Sequence, residues 1–164
     1  MAKKGAHLIV EAWDRVRVRV PDAHLWLVGG GEPTYIERLR ATAQALGVGA
    51  SVHISGPVPK ERVPDCYRAS DLYVFPTLWG EGQARSLLEA MASGLPAITS
   101  ERPESRELYR DDEVLFVSDP NLSGRFVEPI VSLLNDPARR AGEGEVQVLV
   151  AQAARVRLQP RLHI

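Results

Sequence analysis

The sequence predicts an α/β protein in which a parallel β-sheet carries helices on both faces. Short apolar runs recur along the chain, and between them apolar residues fall at helical spacing. Glycine or proline ends most of these segments. The strands of a parallel sheet are covered on both faces, and they therefore read as continuous apolar runs. Right-handed crossovers through the helices would connect such strands.

The elements of the first half follow from spacing and from end signals. Apolar residues three and four positions apart predict the first helix, and the run "HLWLV" before three glycines predicts the first strand. Gly47 suits the left-handed position after the second helix, and Pro64 suits the first turns of the third. The helices are predicted at residues 8–20, 34–46 and 60–70, and the strands at residues 24–28, 51–56 and 71–76.

The second half continues the alternation as far as residue 134. Helices are predicted at residues 83–93, 103–109 and 123–134, and strands at residues 96–99 and 113–117. The tail "GEGEVQVLVAQAARVRLQPRLHI" predicts one more helix, at residues 146–158. This divides the chain into a domain at residues 1–142 and a C-terminal extension, helical in part, at residues 143–164.

Composition limits the classes of function. The 164 residues are 45% hydrophobic, enough for one core, and the net charge of −1 provides no field that would attract nucleic acid or anionic lipid. Cys66 is the one cysteine, so no internal disulfide forms, and the four histidines lack the spacing of zinc ligands. Glu11 and Asp14 interrupt the first apolar run, which excludes a signal-peptide core or an integral membrane segment there. The sequence therefore predicts a cytoplasmic protein.

Ligands of parallel sheets bind at the carboxyl ends of the strands, and two of the loops there contain glycines. In "GGGEP", residues 29–33, glycines would let backbone amides approach a phosphate; a tight turn explains them equally well. Thr34 stands where a dinucleotide fingerprint needs glycine, and no phosphate-loop signature exists in the sequence. In "SGPVP", residues 55–59, Gly56 would leave room for a flat base, although glycine before proline is also typical of a plain turn.

The third loop leads into "GEGQARSLLEAMASGLPAIT", residues 80–99, which contains two glutamates eight positions apart. Glu89 lies about 140° from the centre of the apolar stripe of its helix and so faces away from the core. Glu81 precedes the helix, about 12 Å from Glu89 along the axis. A diphosphate on the free amides of the first turn would lie between hydroxyl-binding carboxylates. Alternatively, Glu81 complements the helix dipole and Arg85 pairs with Glu89.

A family resemblance rests on three stretches in order: "PDAHLWLVGGGEP", "SGPVPKERVPDCYRASDLYVFPT" and "GEGQARSLLEAMASGLPAIT". Together they resemble the C-terminal, donor-binding half of the group 1 retaining glycosyltransferases of the GT-B fold, over about residues 3–140. The resemblance implies a Rossmann-like domain that binds a nucleotide-diphosphate sugar without a metal ion or another cofactor. Sugar would move from this donor to an acceptor with retention of configuration.

The resemblance also implies roles for individual residues. Glu89 would hold the ribose hydroxyls, and Glu81, the candidate catalytic residue, would lie by the donor sugar. The backbone around Ser55 and Gly56 would lie near the base. Sugar and diphosphate would be contacted by Lys4, Gly30, Gly31, Gly82, Gln83, Ala84 and Arg85.

Several family features are missing from this sequence. The acceptor-binding domain has no counterpart, and neither has the first strand of the donor domain, whose arginine joins a lysine in clamping the diphosphate. Lys4 matches that lysine. Glycines usual in the loop after the fourth strand are replaced by "SERPESRELY", where either Glu104 or Glu107 matches the family's acidic residue. A sheet without one of its strands would expose backbone groups, so pairing with a second chain is a further hypothesis.

Two classes of function remain open from the sequence. One is a glycosyltransferase whose donor site lies in this chain. The other is a non-catalytic sugar-nucleotide-binding or assembly subunit that needs a partner chain. An NAD-dependent oxidoreductase is disfavoured because the glycine fingerprint fails.

Overall fold

The computed structural model describes residues 4–80, 84–136 and 146–151. Six α-helices are present in these ranges: α1 (Ala6–Arg19), α2 (Pro33–Ala45), α3 (Val63–Arg68), α4 (Arg85–Ala92), α5 (Pro103–Leu108) and α6 (Val127–Leu134). Six strands alternate with them: β1 (Ala23–Val28), β2 (Val52–Gly56), β3 (Leu72–Phe75), β4 (Ala97–Ser100), β5 (Leu115–Val117) and β6 (Val146–Ala151). A 3-10 turn, Ser123–Phe126, leads into α6.

The strands form one six-stranded sheet in the order β2-β1-β6-β3-β4-β5. Every neighbouring pair is parallel. Leu25 of β1 pairs with Val52 on one side and with Val148 of β6 on the other. The fold class expected from the sequence, a Rossmann-like parallel sheet with flanking helices, is confirmed.

The strand β6 corrects the prediction for the tail. A helix was expected at residues 146–158, but Val146–Ala151 is a strand in the middle of the sheet, and the remainder of that prediction lies outside the described residues. The cause is tertiary: β1 and β3 do not pair with each other, and residues 146–151 complete both of their hydrogen-bond ladders. β6 thus occupies the central position between β1 and β3. The boundary expected at residue 142 falls outside the described residues.

Apolar clusters cover both faces of the sheet. On one face α1, α2 and α6 pack over β1, and the fully buried indole of Trp13 donates from Nε1 to Ser51 Oγ at 3.1 Å. On the other face α3 and α4 pack over β3. The strand β6 contributes to both, with Val148 and Val150 in the first cluster and Leu149 in the second. A central strand needs this two-sided burial, which explains the three consecutive apolar residues Val148, Leu149 and Val150.

Within the described ranges, none of the helices has the length and apolar character needed to cross a bilayer. Cys66, the only cysteine, is a free thiol on α3, and its side chain is buried. Burial is the main cause that raises the pKa of this thiol.

Candidate functional site

All strands of the sheet end on the same edge because they are parallel. In the sheet, β1 and β2 lie on one side of β6, whereas β3, β4 and β5 lie on the other side. A crevice forms at such a reversal of strand order, and ligands of open α/β sheets bind there. The loops after β1 and β3 flank this crevice.

The loops that follow β1 and β2 are joined by a backbone hydrogen bond. The amide of Gly29 donates to the carbonyl of Gly56 at 2.9 Å. Ser55 Oγ donates to the carbonyl oxygen of Leu27 at 3.4 Å, which ties the end of β2 to β1. The residues expected near a base, Ser55 and Gly56, therefore lie beside the loop that contains Gly30 and Gly31.

Backbone angles separate the two explanations for these glycines. Gly29 has φ 126° and Gly56 has φ 71°, so a turn alone requires glycine at both positions. Gly30 and Gly31 do not share this left-handed conformation. Backbone conformation therefore does not require glycine at positions 30 and 31.

The segment before α1 packs on the end of β3. Gly5 has φ 67°, and a β-carbon there would collide with the carbonyl oxygen of Pro76. The preceding Lys4 is thereby held at the carboxyl edge, where Nζ lies 5.4 Å from the centroid of the Phe75 ring. Contact of Lys4 with a diphosphate, which the family resemblance implies, stays a prediction.

Helix α4 begins at Arg85, with the buried Ala84 as its N-cap in an extended conformation and with no capping side chain. The sequence predicted a start at residue 83. Ala84 carbonyl oxygen accepts from the amide of Leu87 at 3.0 Å, whereas the amides at the very start of a helix have no partner within it. Three predicted site residues, Glu81, Gly82 and Gln83, lie outside the described residues.

Glu89 lies on the exposed face of α4, as the helical spacing predicted. Its Oε2 accepts a hydrogen bond from the hydroxyl of Tyr67 at 3.2 Å, and the same hydroxyl lies 3.1 Å from the carbonyl oxygen of Ser86. Among the described residues no ion pair joins Arg85 to Glu89. The alternative explanation, that Glu89 pairs with Arg85, is therefore not supported.

Tyr67 was not identified as a site residue from the sequence. It lies on α3, its side chain is 2% exposed, and it reaches a residue 22 positions further along. Burial, then the neighbouring Tyr73 and Glu89, raises the pKa of this phenol, which therefore stays protonated and can donate. A tyrosine at this helical position reads as a core residue, so local sequence offers no signal of the contact.

The loop after β4 brings one of the two candidate acids to the site. The carboxylate of Glu104, in the first turn of α5, lies against Gly80, at the space that a β-carbon would occupy. Glu107 is exposed on the same helix. Trp79, the residue before Gly80 in the loop after β3, is 56% exposed.

The described residues contain no group of three or more histidine, cysteine, aspartate or glutamate side chains that could hold a metal ion. The polar groups assembled at this edge are instead backbone amides, one lysine and carboxylates. Such a set is suited to phosphate oxygens and to hydroxyl groups.

Sequence comparison identifies a family for most of the chain. The family model described as glycosyl transferases group 1 matches residues 1–146. A GDP-mannose-dependent alpha-(1-6)-phosphatidylinositol monomannoside mannosyltransferase of Mycolicibacterium smegmatis is 31% identical over 87% of this chain, which spans 38% of that protein. Mannosylfructose-phosphate synthase of Agrobacterium fabrum is 35% identical over 59% of this chain and 22% of its own length. The chain thus spans well under half of each of these relatives.

Solved structures share the fold. The Anabaena protein HepE in complex with UDP-glucose superposes with a TM-score of 0.75 at 23% identity, covering 85% of this chain and 38% of its own. The C-terminal domain of the group 1 glycosyl transferase LpcC from Francisella tularensis gives the same TM-score and identity, covering 85% of this chain and 73% of its own.

Proposed function

Because the chain belongs to the group 1 glycosyl transferases, we propose that it binds a nucleotide-diphosphate sugar and provides the donor site for transfer of the glycosyl group with retention. The observation that carries this proposal is Glu89, an exposed carboxylate on α4 that a buried phenol holds in place. An acid on the solvent face of a helix needs no such anchor for packing. Supporting evidence comes from relatives whose names state GDP-mannose dependence and from a similar fold that holds UDP-glucose.

In the proposed complex the nucleotide lies across the crevice between the loops after β1 and β3. Glu89 accepts hydrogen bonds from the ribose hydroxyls, and the base lies against the backbone at Ser55 and Gly56. The diphosphate contacts the first amides of α4 and the ammonium group of Lys4. The proposed ligand also approaches the backbone closely at Gly30 and Gly31.

The chemical step requires stabilisation of the departing diphosphate. Amides at a helix N-terminus are preorganised donors, and they stabilise the negative charge that develops as the sugar leaves. Glu81, which precedes these amides in the chain, is proposed to lie by the donor sugar. No metal ion is needed in this scheme because backbone amides and Lys4 provide the compensating charge.

An acceptor site must come from elsewhere in the full enzyme. The relatives are more than twice the length of the aligned segment, and an acceptor-binding domain in a longer chain or in a second chain would supply it. A non-catalytic sugar-nucleotide-binding subunit is the alternative, favoured by the same difference in length. Turnover of a nucleotide sugar on addition of an acceptor-binding partner would support the transferase, and binding without turnover would support the subunit.

Calorimetry with UDP and with GDP tests the donor site. Glu89→Gln should raise the Kd of whichever nucleotide binds by roughly tenfold or more, because a charged acceptor of hydroxyl hydrogen bonds is lost. Glu37→Gln is the matched control, since Glu37 is an exposed glutamate on α2. The proposal is wrong if neither nucleotide binds, or if the two variants bind with equal affinity.

A further inference from the structure

Among the described residues, the hydroxyl of Tyr67 is the one side-chain group that donates a hydrogen bond to Glu89. It lies at the boundary between core and solvent: the tyrosine side chain is 2% exposed, whereas Glu89 is exposed. A glutamate on a helix surface normally samples several rotamers, and fixing it costs conformational entropy. A donor held rigidly in the core can select one of those rotamers.

The ring of Tyr67 has little freedom to move. It packs in the same apolar cluster as Leu87 and Ala90 of α4 and meets the Tyr73 ring edge-on, at 5.9 Å between centroids and 71° between planes. The Ser86 carbonyl oxygen, 3.1 Å from the hydroxyl oxygen, belongs to the first turn of α4 and shares the single phenolic hydrogen with Glu89 Oε2. The phenol therefore fixes its hydroxyl relative to the helix that carries Glu89.

The contact leaves most of the carboxylate available. A carboxylate has about four lone-pair sites on its two oxygens, and Tyr67 uses one of them, on Oε2. The remaining sites suffice for two vicinal hydroxyl groups. A phenol is protonated at neutral pH even at its ordinary pKa, and burial raises the pKa of Tyr67 further, so the hydroxyl can donate throughout the neutral range.

We infer that Tyr67 is a positioning residue that orients Glu89 for the two hydroxyls of a ribose and so sets selectivity for ribonucleotides over their deoxy analogues. The inference rests on the proposed function, because it requires Glu89 to bind ribose. Tyr67 itself touches no ligand; it acts through Glu89. Loss of the phenolic oxygen should therefore affect only ligands that carry the ribose hydroxyls.

The test compares UDP and GDP with their 2′,3′-dideoxy analogues by calorimetry on the full chain. Tyr67→Phe keeps the packed ring and should raise the Kd of the ribonucleotide about threefold to tenfold, while the Kd of the dideoxy analogue stays unchanged. The double variant Tyr67→Phe/Glu89→Gln should match Glu89→Gln alone, since residues that act through one contact are not additive. Tyr109→Phe, which removes a buried phenol from the same cluster, is the control and should alter neither Kd.

Each other outcome assigns the failure to one hypothesis. If the unsubstituted chain binds both nucleotide forms equally and Glu89→Gln changes nothing, the proposed function is wrong and the inference falls with it. If Glu89→Gln abolishes the discrimination but Tyr67→Phe retains it, only the inference is overturned. If Tyr67→Phe weakened the binding of the ribonucleotide and of its dideoxy analogue equally, the role of Tyr67 would be purely structural. Additive effects in the double variant would contradict action through Glu89.

Discussion

Gly5 places Lys4 at the site through two separate constraints. The residue has φ 67°, which costs an L side chain roughly 1–2 kcal/mol. It also lies directly against the carbonyl oxygen of Pro76, where no β-carbon fits. The start of α1 is therefore fixed to the end of β3 by a position that only glycine can occupy.

Substitution of Gly5 should reveal both constraints. Gly47 has a similar φ of 71° but nothing within 4 Å of the β-carbon position, so Gly47→Ala measures the conformational cost alone. We expect Gly47→Ala to lower the free energy of unfolding by about 1–2 kcal/mol, and Gly5→Ala by at least about 3 kcal/mol because the collision is added. Urea unfolding of both variants measures the difference. Equal losses would contradict the close packing of Gly5 on Pro76.

Single residues were predictable from sequence where a local rule governs them. Helical periodicity correctly predicted that Glu89 faces away from the core, because its exposure depends only on its angle around α4. Tyr67 and the contact between Glu104 and Gly80 escaped prediction because both depend on which elements the fold brings together. The proposed assignments of Glu81, Gly82 and Gln83 rest on the family resemblance.

Eleven of the elements were predictable with small shifts at their ends, and β6 was not. Its six residues alternate polar and apolar only weakly, and a short apolar run fits a buried strand or a buried helix equally well. The deciding factor is the ladder that β1 and β3 offer on either side, which no local pattern reveals.

The role of β6 as a core strand can be tested through Leu149. This side chain is 1% exposed in the cluster under α3 and α4, so Leu149→Ala should lower the free energy of unfolding by about 2–5 kcal/mol. Leu122→Ala is the control, since Leu122 is 57% exposed and the change should cost within about 0.5 kcal/mol. Chemical denaturation of both variants provides the comparison. Similar small losses would mean that β6 does not complete the sheet.

At the scale of the whole molecule, His7 links stability to pH. It is half-buried, its Nδ1 lies 3.3 Å from the Tyr35 hydroxyl, and burial is the main cause that lowers its pKa below the usual 6.5. Glu11 opposes this shift, and Arg38 adds to it. As pH falls below about 6.5 the unfolded chain takes up a proton before the folded chain does, so folding loses stability until the folded pKa is passed.

We therefore expect the urea concentration at the unfolding midpoint to decrease as the pH is lowered from 7.5 to 5.5. The decrease should be smaller in His7→Gln. Other titrating groups are common to both proteins, so the difference between their two slopes isolates His7. A variant with the same pH dependence as the unsubstituted chain would contradict the burial of a neutral imidazole at this position.

The central position of β6 has a consequence for the order in which the molecule folds. Among the described strands, β6 is the last to be synthesised, yet the pair β2 and β1 connects to the trio β3, β4 and β5 within the sheet only through it. Until residues up to Ala151 have been synthesised, the inner edges of β1 and β3 lack the strand that pairs with both of them in the folded sheet. Because the complete sheet requires pairs as distant in sequence as Ala23 and Val146, folding should be slow, and chains in which β6 has not yet paired should be prone to aggregate.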